Sequence, residues 1–299
     1  MTNQNYQSLD MDYFKQIAER RNRRIETERS EALRKKNEPK QETPEIKAPE
    51  QEAQRIITPS EIKNPEDYLL LEGKNEKNYS YADTFVSKQT YHKNKNWREC
   101  HELLQKDNAY MPTIRQFVDF LSMLKSGKAF DGSGKKVDKK ELERLFLDIT
   151  EIRSPYRAEW LDADFKVKSG KLHINYNHDV SKGNLIPGNS EPLEACLMDN
   201  KTPGIDLDSW LKNNTYQGLP KSSIKLGSLY YWAPANDNNS VARFSAGSDW
   251  ASLYCGRNPD ILNAGLGVRL ARSEAPKQSP KNSASVNIQN LEQGFEQKN

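Results

Sequence analysis

SVARFSAGSDWASLYCGRNPDILNAGLGVRLAR, residues 240–272, has a period of two at its centre. Ala251, Leu253 and Cys255 are small or apolar, and they alternate with Trp250, Ser252, Tyr254 and Gly256. On a strand the two sets point to opposite faces. The first set is fit to pack a core. The second puts an indole, a hydroxyl, a phenol and bare backbone on one surface, the chemistry of a contact face, because rigid rings give area at low entropy cost. An edge strand with a stray aromatic pair is the plainer alternative.

Around this stretch the composition sets bounds. The chain has 299 residues, 35% hydrophobic and 29% charged, with a mean hydropathy of −0.94. Such a chain holds one large domain or two small ones beside long solvated segments. Forty-five Lys and Arg against 42 Asp and Glu leave a formal charge of +3, too balanced to argue for nucleic acid. Cys100, Cys196 and Cys255 form no CxxC and suit reduced thiols, with a single disulfide as the alternative. The N-terminal residues lack an apolar core of the signal-peptide kind, and no run reaches the ~20 apolar residues of a membrane span. A cytoplasmic or virion-associated location is the expectation.

Residues 9–36 read as a charged helix. Met11, Ala18, Ile25 and Ala32 recur every seven residues, but after Phe14 the companion positions are Arg21, Glu28 and Lys35, half a heptad. A solvated helix, or one that docks on a partner, fits better than a coiled coil. From Asn37 to Pro65 five prolines fall among Glu and Lys, a composition that buries too little surface to offset its ordering entropy. The expected organisation is therefore a helix over 1–36, a linker over 37–78, a folded body over 79–272 and a disordered tail over 273–299.

Within the body, Ile114, Phe117, Val118, Leu121 and Leu124 fall at helical spacing behind Pro112 and stop at Gly127. Asp138 and Glu141 suggest a capping box for a second helix with Leu142, Leu145, Phe146 and Ile149 inside. Ser169-Gly170 between FKV and KLHINYN marks a hairpin, and Asp206 caps a short helix around Trp210. LGSLYYWAP, VARFSA, WASLYC and LGVRLA supply strands. Helices followed by short strands predict an α+β domain with an antiparallel sheet.

No enzyme constellation emerges. DGSGKKVDKKEL from Asp131 lacks the ligands of a calcium loop, with Lys135 and Lys136 at ligand and glycine positions, and reads as a turn. Cys100-His101 reads as a buried cysteine beside a surface histidine, since neighbours on one helix diverge. His92, His101, His173 and His178 show no metal-ligand spacing. Asp206 with Asp208, and Glu191 with Glu194, are explained by capping and loop roles. The glycines of GLGVRL mark close backbone approach, not a phosphate loop.

Residues 241–272 closely resemble the C-terminal variable region of target proteins of diversity-generating retroelements. The runs NWRECHELL, PTIRQFVDFLSMLKSG, SPYRAEWLDADF, EPLEACLMDNKTPGIDLDSWLKN and GSLYYW resemble the body of such proteins from archaea, their viruses and small uncultivated bacteria. The resemblance covers about Tyr79 to Arg272. It implies a C-type lectin-like domain, of the variety also seen in formylglycine-generating enzymes, with two helices and a small, loop-rich antiparallel sheet. In that family adenine-directed miscopying rewrites Asn-type codons, and the fold displays the altered residues to bind a ligand. The resemblance implies that Trp250, Ser252, Tyr254, Gly256, Arg257, Asp260, Ile261, Leu262, Asn263 and Gly265 are the diversified ligand-binding positions. Phe244, Leu266, Val268 and Leu270 read as core.

The calcium-lectin sugar motif is missing, Glu191-Pro192-Leu193 lacking its amide, and the oxidase's close cysteine pair is missing too. The resemblance therefore implies no metal, no cofactor and no catalysis. The expected partner is an unknown macromolecule, a protein rather than a nucleic acid, with a virion or scaffold partner for the N-terminal helix. An enzyme on the same fold and a virion adaptor are the competing readings.

Overall fold

The computed structural model describes residues 62–273. In chain order its elements are β1 (Tyr68–Leu71), β2 (Lys74–Asn75), β3 (Ser80–Tyr81), β4 (Thr84–Ser87), α1 (Trp97–Lys106), α2 (Ile114–Ser126) and α3 (Lys139–Thr150). The second half holds β5 (Arg157–Lys168), β6 (Lys171–Ser181), β7 (Asn184–Pro192), β8 (Lys201–Ile205), α4 (Leu207–Lys212), β9 (Leu229–Trp232), β10 (Ser240–Ala246), β11 (Ala251–Arg257), β12 (Leu266–Gly267) and β13 (Ala271–Ser273). The N-terminal helix, the linker up to residue 61 and the tail from residue 274 lie outside the described residues.

Local chemistry sets the helices. Thr113 accepts from the Gln116 amide while Gln116 reaches back to the Thr113 amide, and Gly127 ends α2 at φ 67°. Asn96 and Glu99 make the same reciprocal box on α1. Asp138 caps α3 through the Lys140 amide, but Glu141 does not complete the expected box. It pairs with Lys88 at 2.7 Å instead. Asp206 caps α4, and Trp210 behind it is fully buried, its indole donating to the Gly218 carbonyl.

Two-residue turns set the register of the long strands. Ser169 and Gly170, at φ 49° and 75°, place Lys168 opposite Lys171, the geometry of a type I′ hairpin. Lys182 and Gly183 repeat it, placing Ser181 opposite Asn184. The main sheet runs β7-β6-β5-β10-β11-β9-β8, with β12 beside β5. A second sheet, β1-β4-β13, ties the first strand of the body to the last.

Three expectations change. The body begins before Tyr79: Tyr68, Leu69 and Leu71 are buried in the core, so apolar residues inside the expected linker form an anchored strand. The sheet is large and mixed, not small and antiparallel. Because β10 intervenes in sequence and pairs on the far side of β11, β9 and β11 run parallel. The third change is a further helix, α1, which buries Trp97, Cys100, His101 and Leu104 on one stripe. His101 is thus buried together with Cys100, not exposed beside it. The expected turn at Asp131 is present, its carboxylate accepting from the Ser133 and Lys135 amides.

Apolar clusters cover both sides of the sheet. On the inner side Phe244 lies 5.3 Å from Phe117 and 6.2 Å from Trp210, with Leu253 and Cys255 beside them. On the outer side Trp97, Leu104, Trp160, Val241, Leu266 and Val268 pack together. This second cluster covers only the β5 end of the outer face.

Beneath α1 lies a buried polar triad. Asp162 Oδ1 is 2.5 Å from His178 Nδ1 and 3.6 Å from His101 Nε2, and Asp162 Oδ2 accepts the His178 amide at 3.1 Å. Trp97 meets both imidazoles edge-on at 4.5 and 5.0 Å. The triad joins α1, β5 and β6. Removing the carboxylate would strand buried imidazoles and an amide, so Asp162→Ala is expected to destabilise the body by about 3 kcal/mol. Denaturant melts with an unchanged m-value check this.

Candidate functional site: an aromatic and arginine face

The outer face of the sheet is built from cross-strand rows. Tyr230, Ser252, Ser245 and Ala158 align across β9, β11, β10 and β5; Trp232, Tyr254, Arg243 and Trp160 form the next row. Paired residues share a face, so each row begins with a ring near the sheet edge and ends beneath the outer cluster. The alternation in β9 buries Leu229 and Tyr231 and turns Tyr230 and Trp232 outward. The same period in β10 buries Phe244 and turns out Arg243.

The rings pack on one another. Trp250 lies against Tyr230 at 5.7 Å and 7°, Tyr230 is 5.7 Å from Trp232, and Trp232 is 4.7 Å from Tyr254. Trp250 is 44% exposed and its carbonyl closes the β10–β11 turn by accepting from Gly247. Two guanidiniums flank this cluster. Arg243 lies 5.7 Å from the Tyr254 ring and 5.9 Å from the Tyr156 ring, and Arg257 lies 5.7 Å from Tyr254 on its own account. Burial holds the Arg243 pKa below its ordinary value, and the neighbouring Arg257 pushes in the same direction. The buried Nε of each arginine finds no acceptor among the described residues.

The expected display positions separate into three groups. Trp250, Tyr254, Gly256 and Arg257 lie on this face, the last three half-buried. Asp260, Ile261, Leu262 and Asn263 form the following loop, where Leu262 is 55% exposed. That loop is pinned by the Pro259 carbonyl to the Trp97 amide and by an Asn263 side chain to the Gly265 amide. Two positions do not fit free display. Ser252 has no exposure, its hydroxyl 2.9 Å from that of Ser245, because the larger rings on either side close over a small residue. A Cβ on Gly265 would sit 2.4 Å from the Tyr156 carbonyl oxygen, so this glycine serves backbone approach. Gly256 differs: a Cβ there meets nothing closer than 3.5 Å.

The core expectations for Phe244, Leu266, Val268 and Leu270 agree with their burial. Sequence reasoning missed Tyr230, Trp232, Arg243 and Tyr156 as members of the face. The signal for the first three was the same alternation used for β11, present in LYYW and SVARFSA.

Titratable groups away from this face include the three cysteines, a buried triad and a charged cleft. Burial pushes the Cys100 thiol up to about 12 and Cys196 to about 11, and Cys255 well above the ordinary value, so no thiol is poised as a thiolate. The His101, Asp162 and His178 triad brings metal-type donors within 4.8 Å of one another, which spacing along the chain did not reveal. Its 2.5 Å contact is a hydrogen bond; two donors on one tetrahedral zinc stand about 3.3 Å apart. A cleft of about 800 Å³ beside Tyr156 is lined by Lys88, Arg153, Arg157, Glu159, Gly265 and Arg269 among others, and by none of Cys100, Cys196 or His173.

Compared with known proteins, the chain matches no family profile, no curated protein and no solved structure. The fold is α+β, and no helix among the described residues is long and apolar enough to cross a membrane.

The two glycines give a direct test of the face. Gly265→Ala is expected to cost about 2 kcal/mol through its collision with backbone, while Gly256→Ala stays within about 0.5 kcal/mol. Thermal and urea unfolding of the two variants reads the contrast.

Proposed function

We propose that this chain is a non-enzymatic binding protein, a C-type lectin-like domain whose outer sheet face and following loop are a surface diversified by a retroelement. The observation that carries the reading is the division of labour along β11. Leu253 and Cys255 are buried in the core, while Trp250, Tyr254 and Arg257 belong to a face of rings and cations. Tyr, Trp and Arg are the residues that dominate binding energy at protein interfaces. Closure of the body by β1-β4-β13, with the ligand face in the loop-rich second half, suits the lectin-like fold.

Ser252 and Gly265 leave the set of displayed positions for the reasons of burial and backbone contact above. Tyr230 and Trp232 join the face as neighbours from outside residues 241–272, and Arg243 joins it from within them. The ligand is a macromolecule, and a protein fits the ring and arginine chemistry.

The first test is genomic. A nearby near-identical repeat is expected to differ from the coding region for residues 241–272 almost only at adenines, beside a reverse-transcriptase gene; a region with neither sinks the retroelement reading. The second is biochemical. Trp250→Ala with Tyr254→Ala is expected to abolish ligand binding while costing about 2 kcal/mol or less, since the rings stack at the surface. Loss of more than about 3 kcal/mol would mark them as core aromatics instead.

A further inference from the structure

Arg243 and Arg257 stand out among the cations of this part of the molecule. In the adjoining cleft four of the cations are held internally, three of them by carboxylates: Lys88 by Glu141, Arg153 by Asp148 and Glu151, Arg269 by Glu159. Arg157 is held by the carbonyls of Asp148, Glu151, Arg153 and Pro155. Arg243 and Arg257 instead converge on one tyrosine ring, each with a buried Nε that has no acceptor among the described residues. Two like charges are held against the same aromatic ring, and burial together with the neighbouring Arg257 lowers the pKa of Arg243.

We infer that the partner of this face presents a carboxylate to Arg243 and Arg257, an Asp or Glu side chain on a protein segment that also covers the Tyr254 and Trp250 rings. The inference rests on the reading of this face as a binding surface. A guanidinium fork receives a carboxylate in two parallel hydrogen bonds, and the surrounding rings lower the dielectric in which those bonds form. A nucleic acid fits less well. It binds along a track of cations that follows successive phosphates, with bases stacked on open rings. Here Arg243 and Arg257 form one locus on a single tyrosine ring, most cations of the neighbouring cleft are held internally, and Trp250 already stacks on Tyr230.

The test is selection of a random peptide library displayed on phage against the full chain, with two counter-screens. Trp250→Ala with Tyr254→Ala reports dependence on the face, and Arg257→Gln reports dependence on the charge. Face-dependent peptides are expected to be enriched in Asp and Glu over the unselected library. Synthetic versions should lose about tenfold in affinity when the acidic residue becomes its amide, or when the protein carries Arg257→Gln. Repeating the selection on Arg257→Glu should shift the enrichment to Lys and Arg. Face-dependent peptides without acidic enrichment overturn the carboxylate inference and leave the binding-surface reading standing. Absence of any face-dependent peptide overturns both. A randomised single-stranded DNA pool run in parallel decides the ligand class: face-dependent oligonucleotides that bind more tightly than the peptides overturn a protein partner.

Discussion

The register of β10 against β11 is the constraint on which the rest of the body depends. Phe244 faces Leu253 and Arg243 faces Tyr254, so each strand delivers one side chain in two to the inner core. Side-chain period is two, and a slip of one residue would turn Phe244 and Leu253 to solvent and drive a guanidinium into the core. Both neighbours enforce the register. β5 pairs along the whole of β10, from Ser240 opposite Phe165 to Ala246 opposite Arg157, and β9 aligns Tyr231 with Leu253. Inner residues from four strands therefore meet helices α2 and α4 in one layer.

The outer face is partitioned by what covers it. Trp160, the β5 member of the row that holds Arg243, is fully buried, and its indole donates to the Lys95 carbonyl ahead of α1. Moving toward β9, the cover ends and the rings begin. Those rings shield one another, which reduces the apolar area each leaves in water. They also bury the stem and Nε of Arg243 without supplying an acceptor. Arg269, in the segment between β12 and β13, is by contrast paired with Glu159 of β5 at 2.9 Å. The ion pair to Glu159 thus separates Arg269 from Arg243 and Arg257, which have no ion-pair partner among the described residues.

Signals carried by local chemistry were legible in the chain. The caps at Asp138 and Asp206, the stop at Gly127 and the Ser169-Gly170 turn each depend on a few adjacent residues, and each is found where the sequence places it, whereas Pro112, expected in a first turn, stands just ahead of the Thr113 cap. The core role of Leu253 and Cys255 followed from alternation. What was not legible depends on distant partners. His101 shares the stripe of Trp97, Cys100 and Leu104, yet its burial makes sense only with Asp162 and His178 from two strands. Ser252 sits on the outer side as its parity requires, but the size of its neighbours hides it. Tyr156 becomes part of the site because β12 lies beside β5 and because Gly247 and Gly265 both leave room for its ring or backbone.

Those nonlocal contacts sort the positions of residues 250–265 by how much the fold needs them, and this bears on a surface open to replacement. A position can change identity freely only if its side chain carries little folding energy and its Cβ has space. Gly256, Asp260 and Leu262 meet both conditions. Trp250 and Tyr254 meet them in part, since their stacking partners Tyr230 and Trp232 come from a strand outside residues 241–272 and persist whatever stands opposite. A smaller residue at 250 or 254 would uncover a fixed ring and leave the core untouched. On the proposed reading, Tyr230 and Trp232 would supply binding area to any sequence at 250 and 254, and the residues placed there would decide which ligand that area accepts.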